Sequence, residues 1–243
     1  MKSFFIRTGK FLLHFLFPRT CLACEADLPY DTEEYLCASC RRKLTIPGPL
    51  ICQRCGKVLK SGGAHCFSCR GSKEKQYRCR LIRSAYKFDE TSRALVHALK
   101  YQGADYAART MAHYMALRYK ELPEIGGVDI VIPVPLFKAR YKKRGYNQSE
   151  CLARFFANEC LLGFSADALS RVRDTPSQTH LNRAERLVNV QGAFVCVNEP
   201  LVRGKKVLLI DDVATTGATL EGCAQALKKA GAKRVIAYTF ARE

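Results

Sequence analysis

The fold turns on the reading of one stretch, KKVLLIDDVATTGATLEGCAQAL, which runs from Lys205 to Leu227. Four apolar residues, Val207 to Ile210, lead straight into two adjacent carboxylates, Asp211 and Asp212. An unbroken apolar run of this kind suits a central strand buried on both faces of a parallel sheet. Ligands of such sheets sit beyond the carboxyl ends of the strands, so a strand KKVLLIDD puts both aspartates at the ligand edge. The loop that follows carries Thr215, Thr216, Gly217, Ala218 and Thr219 and opens a helix-like run. Backbone N–H groups, hydroxyls and a helix N-terminus together make a phosphate cradle. Carboxylates beside such a cradle would repel phosphate, so they imply another part of the same ligand: sugar hydroxyls, or a hydrated magnesium ion.

Outward from this stretch, strands and helices alternate. LIRSAYKFDE reads as a strand and turn, and TSRALVHALKYQG as a helix ending near Gly103. ADYAARTMAHYMALRYKEL is a second helix, VDIVIPVP a short strand stopped by prolines, and QSECLARFFANECL a third helix. ERLVNVQGAFVCV passes from a helix end to a strand, and KRVIAYTFAR is the last strand. The pattern predicts an α/β fold with a mainly parallel sheet flanked by helices.

The 243 residues suit this domain plus a small appendage, and 48% apolar residues can build its core. Forty Lys and Arg against 22 Asp and Glu give a net charge of +18, which points to a polyanionic partner, nucleic acid first. No apolar run approaches the ~18 residues of a membrane span. The start, MKSFFIRTGKFLLHFLFPRTC, is basic, but its apolar run from Phe11 to Phe17 holds His14 and is followed by Pro18-Arg19-Thr20, unlike a signal peptide. Residues 3–17 are expected to form an amphipathic helix packed on the protein itself.

Thirteen cysteines are present, eight of them in four CxxC pairs: Cys21 and Cys24, Cys37 and Cys40, Cys52 and Cys55, Cys66 and Cys69. One CxxC turn aims two thiolates at one point, and two such turns complete a tetrahedral zinc site. Eight thiols make two structural zinc sites with no open position for substrate. Sequential pairing, first with second and third with fourth, lets each half close as a short ribbon; cross-braced pairing, His65 as a substitute ligand and iron–sulfur ligation stay open. Gly56, after the second thiol of CQRC, can take the positive φ of a zinc knuckle. Zinc-style cysteines and the lack of an export signal point to the cytoplasm. Cys79, Cys151, Cys160, Cys196 and Cys223 are scattered and read as small buried apolar groups.

VLLIDDVATTGAT resembles the motif by which type I phosphoribosyltransferases bind 5-phosphoribosyl 1-pyrophosphate (PRPP). By that resemblance Asp211 and Asp212 bind the ribose hydroxyls. Val213 and Ala214 belong to the same binding stretch, and Thr215, Thr216, Gly217, Ala218 and Thr219 hold the 5′-phosphate. LFPRTC, the double CxxC array, HALKYQG, IPVPL, KKRGYNQS and ERLVNVQGAF, in that order, further resemble the ComF family, which couples a double zinc ribbon to a phosphoribosyltransferase-like domain. The resemblance implies a zinc-ribbon unit over residues 1–75 and a phosphoribosyltransferase-like domain over residues 76–243. Some members of the family are needed for DNA uptake in natural transformation.

The same resemblance makes Lys100 a pyrophosphate contact. KARYKKRGYNQS becomes a flexible loop that closes over pyrophosphate, with Arg144 as its gripping cation. Its cations, with Tyr141 or Tyr146 stacking on bases, also suit single-stranded DNA. Arg171, Arg173, Gln178, Arg183 and Arg186 are expected to border the cleft, with Asn147 and Gln178 as ligand contacts. Three functions follow: a PRPP-binding protein of DNA uptake, with magnesium, that contacts single-stranded DNA or other uptake proteins; an active transferase in which Asp212, Lys100 and Arg144 are catalytic; or a scaffold docking through its ribbons.

Overall fold

The computed structural model describes residues 18–29, 31–32, 34–70, 77–102, 104–174 and 190–243. The expected N-terminal helix over 3–17, Gly103, Gln178, Arg183, Arg186 and the expected domain boundary at 75 lie outside these residues.

Four strands form one sheet: β1 (Ile82–Lys87), β2 (Ile130–Pro133), β5 (Lys206–Ala214) and β6 (Arg234–Arg242). Their order across the sheet is β1-β6-β5-β2, and every pairing is parallel. A two-stranded antiparallel flap, β3 (Leu169–Arg171) with β4 (Phe194–Cys196), stands apart. The helices between the strands are α3 (Glu90–Tyr101), α4 (Ala104–Tyr119), α5 (Lys138–Arg144), α6 (Gln148–Glu159), the short α7 (Glu199–Val202) and α8 (Ala218–Lys229). Two short helices, α1 (Ala38–Lys43) and α2 (Phe67–Arg70), belong to the cysteine-rich front end.

The alternation of side chains along a strand explains why VLLI is apolar throughout. Leu208 and Ile210 pack with α3, α4 and α6 through Leu95, Leu99, Met111, Met115, Leu152 and Phe156. Val207 and Leu209 face the other way, onto Leu220, Cys223 and Leu227 of α8. Both faces are dry, and the sheet is the middle of three layers. β5 covers the expected KKVLLIDD strand from Lys206 through its two aspartates and runs two residues further, to Ala214. It pairs with β6 as far as Ala214↔Arg242, which places Asp211 and Asp212 inside the strand. The nine-residue partner β6 continues the ladder past the apolar run and carries the polar residues with it.

The front end forms two cysteine-bound units that are seated on this domain. In the first, Leu28, Leu36 and Leu44 join the apolar cluster of α3 and α4, and the Tyr114 hydroxyl donates to Glu34 at 3.0 Å. The second is held by main chain. Ile82 N–H of β1 donates to the Arg54 carbonyl at 2.8 Å, and Arg83, buried, donates to the Gln53 carbonyl at 3.0 Å and to Glu124 at 2.7 Å.

Candidate functional site

Asp211 and Asp212 occupy the last third of β5 and are buried. Asp211 Oδ1 accepts from the Ser149 hydroxyl at 2.7 Å and from the Asp212 amide at 3.0 Å. Ser149 is itself placed by Asn147, the N-cap of α6, whose Oδ1 accepts from the Ser149 amide at 3.2 Å and whose amide group donates to the Val134 carbonyl at 3.1 Å. Asn147 therefore builds the wall of the site from beneath. Asp212 Oδ2 lies 2.6 Å from Nζ of Lys100, as an ion-pair contact rather than a directed hydrogen bond.

These surroundings push the two carboxyls apart. Burial, and then the charge of Asp212, raise Asp211 to about 8. Burial also works against the charged form of Asp212, but the Lys100 ammonium outweighs it and holds that carboxyl below the usual carboxylate range. The two carboxyls are thus pushed in opposite directions, Asp211 toward its neutral form and Asp212 toward its charged form. The raised group has a signature in stability. A carboxyl raised in the folded state contributes stability that is complete below its unfolded value of about 3.9 and is lost as pH rises toward its folded value. Stability is thus expected to decline from about pH 4 to about pH 8. In thermal melts across that range, Asp211→Asn should lack this decline and melt several degrees higher than wild type at pH 8; equal slopes in the two proteins would refute it.

The loop after β5 turns sharply into α8. Gly217, at φ 79°, is the left-handed residue that makes this turn. Thr216 Oγ1 accepts from the Ala218 amide at 3.3 Å, and Thr215, Thr216 and Thr219 are all half-buried at the N-terminus of α8. The structure thus brings Asp211, Asp212, Val213, Ala214, the loop to Thr219 and Lys100 to one region at the carboxyl end of β5.

Arg144 is placed differently from the sequence expectation. KARYKKR is helix α5, ending at Gly145 in the left-handed conformation (φ 85°), rather than a loop. It holds no glycine or β-branched residue, and its last turn carries Lys142, Lys143 and Arg144, which the helix dipole favours. Arg144 donates to Gln148 and lies over the Tyr101 ring, 5.7 Å from its centroid. Tyr146 is committed to the Leu99 carbonyl at 2.7 Å, while Tyr141 is exposed. Arg171, on β3, is close enough to Asp211 to feel its charge, and Arg173 donates to the Gln191 carbonyl at 2.6 Å.

The eight CxxC cysteines fall into two groups, Cys21, Cys24, Cys37 and Cys40 in one and Cys52, Cys55, Cys66 and Cys69 in the other; within each, all sulfurs lie within 4.8 Å of one another. This is the sequential arrangement, without His65. The Sγ separations of Cys24 and Cys37, 3.8 Å, and of Cys55 and Cys66, 3.7 Å, suit a tetrahedral zinc, whose ~2.3 Å bonds set sulfurs about 3.8 Å apart. Metal analysis of the purified protein is expected to give two zinc ions per chain, falling to one in Cys24→Ser/Cys37→Ser; two ions retained in that variant would overturn the assignment of the first site. Among the described residues, these tetrads are the only groupings of three or more metal-ligating side chains.

Sequence reasoning missed four residues that hold the site together. Ser149 fixes Asp211. Arg83 seats the second ribbon. Glu221, in the first turn of α8, accepts from the amides of Arg78 and Cys79, the latter at 3.2 Å, and pairs with Arg54 at 3.8 Å. Arg54 lies between two cysteines of the second tetrad and yet reaches the helix that follows the Thr215–Gly217 loop.

A phosphoribosyl transferase domain model matches residues 143–243, and a double zinc ribbon domain model matches residues 12–70. The chain is 30% identical over 237 residues to Competence protein ComFC of Bacillus subtilis, covering 91% of this chain and 94% of the relative. It is 29% identical to Competence protein F of Haemophilus influenzae, covering 91% and 96% respectively. With DNA utilization protein YhgH of Escherichia coli K12 it shares 28% identity, over 85% of this chain and 96% of the relative. Among solved structures, adenine phosphoribosyltransferase (APRTase) of Giardia lamblia covers 63% of this chain and 84% of its own, at 18% identity and a TM-score of 0.37.

Proposed function

Since the chain belongs to the ComF family, with a double zinc ribbon joined to a phosphoribosyltransferase-like domain, we propose that it binds PRPP or a related phosphoribosyl ligand, with magnesium, and acts in DNA uptake through single-stranded DNA or a partner protein. Residues 76–243 form the ligand-binding domain and residues 1–75 the ribbon unit. The observation that carries the reading is the juxtaposition at the end of β5: two buried carboxyls, one bound by the Ser149 hydroxyl and the other paired with Lys100, followed at once by a glycine turn into a helix N-terminus. A diol needs an acceptor and tolerates a donor; a phosphate needs N–H groups. The ribose hydroxyls are taken by Asp211 and Asp212, and the 5′-phosphate by Thr215, Thr216, Gly217, Ala218 and Thr219. Lys100 leaves Asp212 when the diol arrives, and its ammonium then stands free for pyrophosphate. Thiolate metal sites are best kept in a reducing compartment, which supports a cytoplasmic setting. The basic surface supports a polyanionic partner.

A second reading is an active transferase, favoured by the carboxylate–lysine contact: Asp212 would steady an oxocarbenium-like centre, while Lys100 and Arg144 met the departing charge. The test is calorimetric titration of PRPP and magnesium into the zinc-loaded protein and its Asp211→Asn/Asp212→Asn variant, with the solution assayed for pyrophosphate. Binding by wild type that weakens at least tenfold in the variant is the expected result. Release of pyrophosphate would establish transfer. No binding by folded wild type would overturn both readings.

A further inference from the structure

Two chains of contact join the second ribbon to the turn into α8. The first runs through Arg54. This residue lies between Cys52 and Cys55, so metal held by those thiols fixes its main chain from both sides. Its carbonyl accepts from the Ile82 amide at 2.8 Å. Its guanidinium lies over the Tyr77 ring and pairs at 3.8 Å with Glu221, in the first turn of α8. Both side chains are mostly buried, at 16% and 17% exposure, and Nη1 of Arg54 makes no hydrogen bond, so the Glu221 carboxylate is what balances its charge. Glu221 in turn accepts from the amides of Arg78 and Cys79, on the segment entering β1.

The second chain of contact runs through Ile82. It sits between two glycines in the left-handed region, Gly56 of the ribbon at φ 70° and Gly217 of the turn at φ 79°. A Cβ on Gly56 would lie 2.7 Å from the Ile82 carbonyl oxygen, and one on Gly217 would lie 2.8 Å from Ile82 Cδ1. Packing this close means that neither the ribbon nor the turn can shift toward β1 without displacing Ile82. Beside these contacts is a cleft of about 20 Å³, room for about one water, lined by Arg54 and Cys55 of the ribbon, Thr216 and Gly217 of the turn, and Ile82 and Glu221. A thiol of the tetrad and the turn thus face the same small space.

On the reading that this turn takes the 5′-phosphate, we propose that the second ribbon is a functional part of the ligand site: Arg54 and Ile82 position the turn, so that metal in the second tetrad strengthens phosphate binding and bound phosphate helps to retain the metal. The element with two states is the turn from Ala214 to Ala218. With metal on the tetrad, Arg54 and Gly56 hold the turn seated on Ile82. Without it the knuckle has nothing to close it, and the turn loses both supports. A phosphate that needs the N–H groups of the turn in one arrangement binds the seated state and selects it. Linkage makes the effect equal in the two directions. The first cysteine unit is seated elsewhere, on α3 and α4 through Leu28, Leu36 and Leu44.

The test uses the full zinc-loaded chain, with PRPP and magnesium as the probe. Hydrogen exchange is followed at the amides of residues 216–221. Arg54→Met keeps the main-chain bond to Ile82 and removes the charge facing Glu221. These amides are expected to exchange about tenfold faster in that variant than in wild type, and Arg54→Lys, which keeps a cation, should restore most of the protection. Tyr114→Phe, which loosens the first unit, should leave them unchanged. Calorimetry should show PRPP binding about tenfold more weakly to Arg54→Met, and saturating PRPP should slow the release of one zinc ion to a chelator in wild type but not in Arg54→Met. Unchanged exchange in Arg54→Met, no recovery in Arg54→Lys, or an equal loss of protection in Tyr114→Phe would each overturn the positioning role. Equal PRPP affinity of wild type and Arg54→Met would overturn the linkage and leave the phosphate reading standing. No binding by folded wild type would overturn both.

Discussion

Gly56→Ala is expected to cost roughly 3 kcal/mol or more, the range reserved for a few severe mechanisms. Gly56 stands at φ +70°, in the left-handed region, where a side chain alone costs about 1–2 kcal/mol. A Cβ there would also lie 2.7 Å from the Ile82 carbonyl oxygen. That oxygen is main chain of β1 and already accepts from Arg83 at 3.0 Å, while the amide of the same residue is bound to the Arg54 carbonyl. It cannot retreat without pulling the edge strand from β6 or unseating the ribbon. The effect should spread, because the Ile82 side chain also underlies the turn into α8: a Cβ on Gly217 would meet Ile82 Cδ1 at 2.8 Å. Urea unfolding of zinc-loaded protein checks this against Gly62→Ala, where nothing lies within 4 Å. Equal midpoints for the two variants would mean that the ribbon is not seated as described.

Lys100→Met should be the next most damaging change. It removes the cation 2.6 Å from a carboxylate that is only 7% exposed, and breaking a buried pair from one side costs about 3–5 kcal/mol. Lys100 is itself 27% exposed, so water screens part of the interaction and roughly 2–3 kcal/mol is the expected loss. Lys100→Met/Asp212→Asn should recover most of it, since no charge is then left stranded. The pH dependence has a definite sign. A depressed carboxyl contributes stability above its unfolded value of about 3.9, and that contribution disappears as pH falls through the lower folded value. Wild type should therefore lose this part of its stability in acid, and Lys100→Met should not. A single variant as stable as wild type, or a double variant no better than the single, would show that the pair is not coupled.

Much of the site was legible because its signals are local. The strand, the two aspartates and the glycine turn lie within thirteen consecutive residues, and each CxxC turn declares itself in four. The tetrad grouping is the sequential one that spacing favoured, though spacing alone left the cross-braced pairing open. What could not be read is what the chain brings from a distance. Ser149 is 62 residues from Asp211, and Glu221 is 142 from Cys79. No periodicity announces either contact. Lys100 was legible as a site residue but not as the partner of Asp212, because a cation ending a helix before a glycine suits a helix C-terminus equally well. The helix over Lys138–Arg144 was hidden by its charge: seven residues with five cations look like a solvated loop, and only the left-handed Gly145 fixes where the helix stops. Asn147 shows the converse error. A polar residue in a cation-rich stretch suggests ligand contact, whereas its side chain is spent on main chain and on Ser149.

The strand order has a consequence in time. β6, which follows the other described strands in the chain, is an interior strand that pairs with β1 on one side and β5 on the other. About 160 residues separate the last ligating cysteine, Cys69, from Arg234, which a ribosome adding ~5–20 residues per second needs roughly 10–30 s to make. Throughout that interval all eight ligating thiols are available to metal, while β1, the strand on which the second ribbon rests, has no neighbour. β1 must wait for a partner made much later, and the sheet stays incomplete until Arg234–Arg242 have been added.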